Sequence, residues 1–457
     1  MKVAAGFRAR ERVVVNVDSS AARWISALAV LSLSGWLFLL HKDFAWSATI
    51  LAAVAVIARG IFLGRPVTAW HAAAAMLMCT VGLAAVFLAF DLLGNLVLVA
   101  SATVLMWPTS ARPNPADLPR IFGLVNATTG DPLAPFAMRA SKCYHFSADG
   151  TAAIAYRTRL GFAVVSGDPI GDEARFSALV AEFAATCHMR GWRIAVLGCS
   201  ERRLSLWSNT AGLGRKLTAV PIGRDVVVDV ATFDMVGRKY RNLRQAVQRT
   251  RNFGVTTEVV DEQGLDDVLL AELTEVVLAS PSGSRTERGF SMSLDRTLEG
   301  RYPGVTLIIA RDESGRVQGF HRYATAGAGT EMTLDVPWRR RGAPNGIDER
   351  LSVDMISIAR EQGAQRLSLA FAAFPEIFTD DNRNLASSLV FTAVHLGDPL
   401  IALESLYRYL RKFHALGDRR YVMATLTQVV PLLIVLLSLE FTPRRRHLTR
   451  KSVAQAS

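Results

Sequence analysis

Four uncharged apolar runs crowd the first 107 residues, and they restrict the possible fold more than any other feature of the sequence. The runs cover residues 24–40, 44–58, 66–90 and 92–107. A helix that spans a bilayer needs about 20 apolar residues, with about 17 as the lower limit. The first and third runs meet this length, and the second and fourth are marginal. We therefore predict a transmembrane region of about four helices over residues 1–107.

The charges between these runs predict their orientation. Basic residues lie before the first run, between the second and third, and after the fourth: Lys2, Arg8, Arg10, Arg12, Arg23, Arg59, Arg65, Arg112 and Arg120. The other side carries Lys42, Asp43 and Asp91. By the positive-inside rule, we expect a multi-pass protein of the cytoplasmic membrane whose soluble domain faces the cytoplasm. An alternative with three spans and a re-entrant segment would place that domain outside.

A linker and an α/β region follow the apolar runs. Residues 108–120 are rich in proline, which predicts an extended linker. Beyond it, strand-like and helix-like runs alternate, and the remaining length favours two α/β lobes over one core. The four cysteines have no CxxC or zinc-ligand spacing, so we expect reduced thiols and no metal site. The net charge of +12 suits an anionic lipid or a nucleic acid as partner.

A basic helix is predicted over residues 233–252. Its apolar residues recur at helical spacing and predict a buried stripe: Phe233, Val236, Tyr240, Leu243 and Val247. Cations occupy the opposite face and its flanks: Arg238, Lys239, Arg241, Arg244, Arg249 and Arg251. No acidic residue follows any of them at i+4, which favours phosphate binding, here of tRNA, over the alternative of a solvated helix face.

Five segments, taken in order, resemble the C-terminal synthase domain of bacterial phosphatidylglycerol lysyltransferases, the aminoacyl-phosphatidylglycerol synthases. They are residues 138–172, 237–245, 344–349, 367–374 and 405–421. The resemblance implies a membrane-anchored α/β protein with two tandem GNAT-like acyltransferase lobes after the transmembrane helices. The lobes would cover residues 121–232 and 254–425, joined by the basic helix at 233–253. Residues 426–457 would form an interfacial helix and a basic tail.

The resemblance also implies an activity. An amino acid, lysine first, would pass from an aminoacyl-tRNA to the headgroup hydroxyl of phosphatidylglycerol, and the product would protect the cell against cationic antimicrobial peptides. The phospholipid and the tRNA are the implied partners. Exchange between two esters is nearly isoenergetic, so we expect no cofactor. Two alternatives stay open: a GNAT-type acyltransferase with another membrane-proximal substrate, and a catalytically inactive lipid- or tRNA-binding membrane protein.

Candidate site residues follow from the same resemblance. The catalytic candidates are Asp335 and Glu349, which we expect close together at a strand end and a helix start, binding the ammonium groups of the amino acid or acting as general base. The substrate-binding candidates are Gly167, Asp168, Asn345, Lys412 and Arg420. The alternatives without a role in binding or catalysis are a turn-forming role for Asp168 and structural ion pairs for Asp335 and Glu349.

Several positions depart from the family pattern and indicate a divergent member. Trp338 stands where the family has Arg, with Arg339 displaced by one, and Ala370 replaces an Asn. Leu410 and Leu416 replace Asn and Arg. The amino acid, the acceptor lipid and the activity itself are therefore open.

Two further patterns concern ligands and lipid. Residues 342–346 resemble the GNAT pyrophosphate loop, but Pro344 lacks an N–H, so we do not expect use of acetyl-CoA. Residues 429–439 are apolar and too short to span, which predicts an interfacial helix whose basic tail binds anionic lipid. The alternative is a buried helix that closes the second lobe.

Overall fold

A computed structural model describes residues 44–208, 216–280, 290–373 and 406–441, with a few short stretches outside these ranges. Three helices begin the described chain: α1 (Phe44–Phe62), α2 (Ala69–Phe87) and α3 (Asp91–Leu105). By length and composition, two helices are able to cross a membrane, Ala45–Phe62 and Ala69–Phe87, whereas Asp91–Leu105 is apolar but shorter. The predicted run at 24–40 lies mostly outside the described residues, so the four-span topology stays a prediction.

Small residues let α2 and α3 pack closely. A Cβ on Gly94 would lie 2.7 Å from the carbonyl oxygen of Gly82 and 2.4 Å from the Val86 side chain. Only glycine permits this approach, which is typical of helices that associate within a bilayer. The outer surface of the pair stays apolar and exposed, with Trp70 and Phe87 exposed by 71% and 90%.

Twelve strands form one mixed sheet. They are β1 (Cys143–Phe146), β2 (Ala152–Arg159), β3 (Phe162–Ser166), β4 (Ile170–Gly171), β5 (Arg193–Ser200), β6 (Thr218–Asp229), β7 (Thr256–Asp261), β8 (Val305–Arg311), β9 (Val317–Ala326), β10 (Glu331–Arg339), β11 (Arg366–Ala373) and β12 (Leu416–Ala424). Their order is β1-β2-β3-β5-β12-β6-β11-β10-β9-β8-β7, with β4 beside β2. The predicted α/β class is confirmed.

The sheet has two halves of similar design. In the first half, antiparallel strands β1 to β3 end on a parallel pair, β3 with β5. In the second, antiparallel strands β7 to β10 end on the parallel pair of β10 with β11. The two halves exchange their next strand. β6 follows the first half in sequence but pairs with β11 of the second half, and β12 follows the second half in sequence but pairs with β5 of the first. Because β6 and β12 also pair with each other, the halves share one continuous sheet.

Further helices follow in the described part of the chain. They are α4 (Leu118–Ala127), α5 (Phe176–Met189), α6 (Leu204–Ser208), α7 (Arg241–Asn252), α8 (Asp267–Ala279), α9 (Ile347–Glu361) and α10 (Val429–Phe441). A 3-10 turn, Ala134–Met138, follows α4. This turn and α4 pack in one core with β2 of the first half and with β8 and β9 of the second, so they join the halves.

Two predicted boundaries were wrong. The predicted linker does not run to residue 120, because α4 begins at Leu118 with Pro119 in its first turn. The linker also packs on the first half, where the Trp192 Nε1–H donates to the Thr109 carbonyl at 2.8 Å. The basic helix begins at Arg241, after a 3-10 turn at Arg238–Tyr240, rather than at Phe233.

Candidate functional site

A pocket lies where the two halves meet. Its walls come from the segment after α4, the loop between β3 and β4, and residues Ser291 and Met292. The space between its walls, open solvent included, is about 320 Å³. The lining residues are Asp131, Leu133, Ala134, Phe136, Ala137, Ser166, Gly167, Asp168, Ile170, Gly198, Ser291 and Met292. We call it the junction pocket. Two predicted substrate-binding residues, Gly167 and Asp168, line it.

The β3–β4 loop fixes Asp168 at the wall of this pocket. Gly167 has a φ of +74°, a conformation that residues with a Cβ rarely adopt. Its N–H donates to the Leu197 carbonyl at 2.9 Å, which continues the pairing of β3 with β5. One Asp168 carboxylate oxygen accepts the Ser200 backbone N–H at 3.0 Å. The other lies 3.4 Å from the guanidinium of Arg420.

Arg420 gathers three buried carboxylates. Its guanidinium lies 3.0 Å from Asp131, 3.4 Å from Asp168 and 2.7 Å from Asp225. It also donates to the Gly198 carbonyl at 3.2 Å. We call these four ionisable side chains the Arg420 cluster. It depends on the strand exchange, because Asp225 is on β6 and Arg420 is on β12.

The Arg420 cluster carries more negative than positive charge. Burial raises the pKa of Asp225 to about 6, although Arg420 opposes this shift, and burial likewise raises the pKa of Asp168. Burial acts in the same sense on Asp131, but the nearby Arg420 and Arg202 outweigh it and leave that pKa lowered. One oxygen of Asp225, Oδ1, has no hydrogen-bond partner among the described residues. A small cation would balance this cluster.

A buried lysine lies directly behind the pocket wall. The Lys142 ammonium donates to the Phe136 carbonyl at 2.7 Å, to Ser166 Oγ at 2.7 Å and to the Ser291 carbonyl at 3.5 Å. All three acceptors line the junction pocket. Burial, aided by the charge of Arg139, lowers the pKa of Lys142 to about 7.

One wall of the pocket belongs to a segment that crosses between the halves, residues 290–295, which we call the strap. The Glu440 carboxylate accepts its first two backbone N–H groups at 2.9 and 3.0 Å. Arg139 donates to the Ser293 carbonyl at 2.9 Å. The Leu294 N–H donates to Asp335 at 2.7 Å. The strap is thus held from both halves and from α10.

Asp335 binds the strap and does not lie at a strand end. It lies in the middle of β10, and its side chain is fully buried. Its second oxygen pairs with Arg322 at 2.8 Å, and Arg322 also pairs with Glu262 at 2.8 Å. Burial raises the pKa of Asp335 to about 6 against the influence of Arg322. This differs from the expectation that Asp335 touches the amino acid, since its carboxylate lies between Arg322 and the Leu294 N–H and does not line the junction pocket.

Glu349 and Lys412 form an ion pair with each other. Glu349 is in the first turn of α9, as predicted, but among the described residues it shares no hydrogen bond or ion pair with Asp335. Asn345 is exposed in the turn before α9. The structure therefore separates the predicted site into the pocket residues, the α9 pair and the buried Asp335.

Two of the substituted family positions, Trp338 and Leu410, have packing explanations. Trp338 is buried in a core with β8, β9 and α8, and the next side chain, Arg339, points outward to Asp348 at 3.1 Å. Leu410 is buried in the core of the second half, whereas Leu416 is partly exposed at the start of β12.

The basic helix displays its cations. Every predicted tRNA-binding residue is exposed, and no ion pair between described residues involves Arg238, Arg241 or Arg249. Arg244 donates to backbone carbonyls just before the helix, one at 2.8 Å. Lys239 lies over the neighbouring tyrosine ring, 4.8 Å from its centroid. The predicted buried stripe fails at Val236, which is 71% exposed because the chain there is not helical.

Helix α10 has two apolar faces. Leu432, Val435 and Leu439 are buried in a core with residues of β3 and β5, so α10 covers the first half rather than closing the second. The other face is exposed and consists of Val430, Leu433, Ile434 and Leu437. An apolar face of this kind is typical of a helix at a bilayer surface or a protein interface.

Comparison with known proteins agrees with the resemblance. Residues 122–424 match the family model described as phosphatidylglycerol lysyltransferase, C-terminal. The chain is 65% identical over 453 residues to "MprF-like domain protein Rv1619" of Mycobacterium tuberculosis, covering 96% of this chain and 94% of that protein. It is 34% identical over 256 residues to the "Lysylphosphatidylglycerol biosynthesis bifunctional protein LysX" of Rhodococcus jostii, of which the match spans 22%.

Solved structures share the fold. The C-terminal domain of a putative lysylphosphatidylglycerol synthetase from Agrobacterium fabrum aligns with a TM-score of 0.60 at 23% identity, covering 72% of this chain and 98% of that one. The structure described as L-PGS from Bacillus licheniformis aligns with a TM-score of 0.57 at 20% identity, covering 72% and 96%.

Proposed function

The chain belongs to the phosphatidylglycerol lysyltransferase family, and from this premise we propose that it transfers an amino acid, lysine first, from an aminoacyl-tRNA to the headgroup hydroxyl of phosphatidylglycerol. The reaction exchanges one ester for another, so it requires no energy-rich cofactor. We interpret the two halves of the sheet as GNAT-like lobes, because in each half antiparallel strands end on a parallel pair.

The observation that carries this proposal is the excess of carboxylates at the junction pocket. A lysyl group brings two ammonium groups, and a desolvated ammonium needs a carboxylate partner. Asp131 and Asp168 line the pocket, and Asp225 has an oxygen without a partner among the described residues. We assign Asp168 and Asp131 to binding of the amino acid, with Arg420 fixing their positions.

The tRNA donor is assigned to the surface of α7. Its exposed cations suit a polyanion, and each phosphate contact adds affinity that falls with salt. The segment carrying Lys412 adjoins this surface, because His414 Nε2 lies 3.0 Å from the Lys239 carbonyl. We assign Lys412 and Asn345 to the same tRNA-facing surface, with Glu349 holding the Lys412 side chain in place.

The lipid acceptor is assigned to the side of α10. Its exposed apolar face and the cations at 444–451 suit an anionic bilayer surface. Glu440 at the end of α10 binds the strap, so this helix lies between the proposed bilayer contact and the junction pocket. We propose that helices α1 to α3 anchor the chain, with its catalytic part on the cytoplasmic face.

A transfer assay tests the proposed function. The purified full-length chain is incubated with phosphatidylglycerol vesicles and with tRNA charged with radiolabelled lysine. We expect label in a new lipid with a free amino group, and no acylated lipid when acyl-CoA replaces the charged tRNA. Asp168→Asn keeps the size of the side chain but removes its charge, and it should lower transfer by about tenfold or more. Asp172→Asn, at a neighbouring turn outside the pocket, is the matched control.

Label that appears in lipid only with acyl-CoA would replace this proposal with the general acyltransferase alternative. No lipid product from either donor, in a folded preparation that binds tRNA or vesicles, would favour an inactive binding protein.

A further inference from the structure

We propose that Ser166 and Lys142 form a nucleophile–base pair, and that the amino acid rests on Ser166 Oγ as an ester before it reaches the lipid. This inference depends on the proposed function and adds a covalent intermediate to it. Neither residue was among the site residues predicted from the sequence.

The geometry of the pair fits this role. Lys142 Nζ donates to Ser166 Oγ at 2.7 Å, and the Ser166 hydroxyl donates to the Ser291 carbonyl at 3.2 Å. Rotation of this hydroxyl about its C–O bond turns the O–H toward Nζ once the amine is neutral. Ser166 lines the junction pocket, whereas Lys142 lies behind it and is 1% exposed. A serine is a weak nucleophile alone and is activated by an adjacent base, for which a neutral lysine amine serves in known serine–lysine enzymes.

Burial of Lys142 favours the neutral amine. Its hydrogen-bond partners among the described residues are a hydroxyl and two carbonyl oxygens, its Nζ lies 5.3 Å from the centroid of the Phe290 ring, and no carboxylate pairs with it. Burial and Arg139 lower its pKa, whereas the more distant Glu440 and Asp295 act in the opposite sense, and the result is about 7. A comparable share of neutral and charged lysine is therefore present near neutral pH, which suits a general base.

The Arg420 cluster places the substrate. Asp168 lies two residues after Ser166, the last residue of β3, and both line the pocket with Asp131. An aminoacyl ester whose α-ammonium binds these carboxylates would present its carbonyl carbon, two bonds from the ammonium nitrogen, toward Ser166. A Ser166–Lys142 pair without an acidic partner for the amino acid would lack this orientation.

The two steps balance. Ser166 Oγ attacks the ester carbonyl carbon, its proton passes to Lys142, and the bond from that carbon to the tRNA ribose oxygen breaks as the oxygen takes the proton. The lipid hydroxyl then gives its proton to Lys142 and attacks the same carbon, and Ser166 Oγ leaves and recovers the proton. No oxidant, reductant or metal enters either step.

Mass spectrometry of the acylated protein tests this proposal. The full-length chain in detergent is mixed with lysyl-tRNA without phosphatidylglycerol, quenched in acid and digested. We expect one lysyl group on the peptide that contains Ser166, lost again when phosphatidylglycerol vesicles are added before the quench. Adduct formation should rise with pH through about 7, as Lys142 loses its proton.

Variants separate a chemical role from a structural one. Ser166→Ala and Lys142→Met should abolish the adduct and lower transfer by about 100-fold or more. Ser166→Cys keeps a nucleophile and should form a thioester adduct even if later transfer is slow. Ser357→Ala removes a hydroxyl that bonds only within α9, and it should change neither readout.

The outcomes are distinct. If the wild-type chain makes lysyl lipid while Ser166→Ala retains near-normal transfer, or while no adduct forms on Ser166 or on the Cys variant, the covalent pair is overturned and the proposed function stands. If the adduct forms but no phosphatidylglycerol is modified, the pair is supported and the proposed acceptor is wrong. If neither adduct nor lipid product forms, both proposals fail.

Discussion

Replacement of Arg420 by glutamine should destabilise the fold strongly and in a pH-dependent way. The guanidinium is buried and pairs with Asp131, Asp168 and Asp225, which come from three parts of the chain. Glutamine keeps part of the side-chain volume but removes the charge. Breaking a buried ion pair by removing one partner costs about 3–5 kcal/mol, because the remaining charge is left without compensation. The remaining carboxylates here are mutually close, so we expect a loss of at least this size.

The pH dependence follows from the carboxylates. The folded wild-type chain binds the Asp225 proton more tightly than the unfolded chain does, since its pKa of about 6 exceeds the ordinary value near 4. This group therefore lowers the free energy of unfolding as pH rises from about 4 to 6. Without Arg420, all three carboxylates should hold their protons to higher pH. The variant should be destabilised most above neutrality and least near pH 5.

Thermal unfolding of the full-length chain in detergent measures both effects. A loss of about 3–5 kcal/mol lowers the melting temperature of a domain of this size on the order of 10 °C. The matched control is Arg251→Gln, exposed in the last turn of α7, for which we expect a change within about 0.5 kcal/mol. Adding Asp225→Asn to the Arg420 variant should recover part of the loss. The reasoning is refuted if the two arginine variants melt together, or if the penalty grows as pH falls.

Three further predictions concern other parts of the molecule. Asp335→Asn removes a charge partner of Arg322 and weakens the hydrogen bond that holds the strap. Lysine transfer should therefore fall by about tenfold or more, while membrane insertion is unchanged. Near-normal turnover would contradict this prediction. Arg238, Arg241 and Arg249 changed together to Gln should weaken tRNA binding and flatten its salt dependence by about 0.7–0.9 per lost phosphate contact, whereas unchanged binding would mean a merely solvated face. Leu433→Ser with Ile434→Ser should lower transfer to vesicles without lowering tRNA binding, and equal activity would exclude a lipid contact by α10.

Part of the site could be predicted from the sequence, because some of its residues lie in the segments that resemble the family. Gly167 and Asp168 belong to one quoted segment and Arg420 to another, far along the chain, and the structure brings them together. Asp131 and Asp225 carry no such signal, since each is an isolated aspartate in a loop or strand. Their convergence depends on the exchange of β6 and β12, and hydrophobic periodicity specifies which residues form strands but not which strands pair.

The surroundings of Lys142 and Asp335 could not be predicted, because a sequence pattern does not show which polar side chains become buried. Lys142 lies within the first quoted segment, but nothing in the sequence indicates that its ammonium is enclosed among neutral oxygens. Asp335 was expected at a strand end, yet β10 continues through Pro337 to Arg339. A proline in a strand removes only one N–H, and its neighbours can still pair. The carboxylate is therefore held inside the sheet, where it binds the strap.

The start of the basic helix was missed for a local reason. The spacing of Phe233, Val236 and Tyr240 fits a helix, but Gly237 has a φ of +91° and interrupts it. Phe233 instead stacks on Phe413 with ring centroids 6.4 Å apart, which ties this loop to the second half. Tertiary contacts thus override a periodicity that is only two turns long.

We propose above all that this chain makes aminoacylated phosphatidylglycerol. The most direct measurement is the lipid composition of a bacterial host that lacks such lipids and expresses the full-length chain, compared with the same host expressing Asp168→Asn at an equal level in the membrane. We predict a new phosphatidylglycerol derivative with a lysyl group in the first strain and much less of it in the second. An unchanged lipid profile in the strain with wild-type protein would contradict the account.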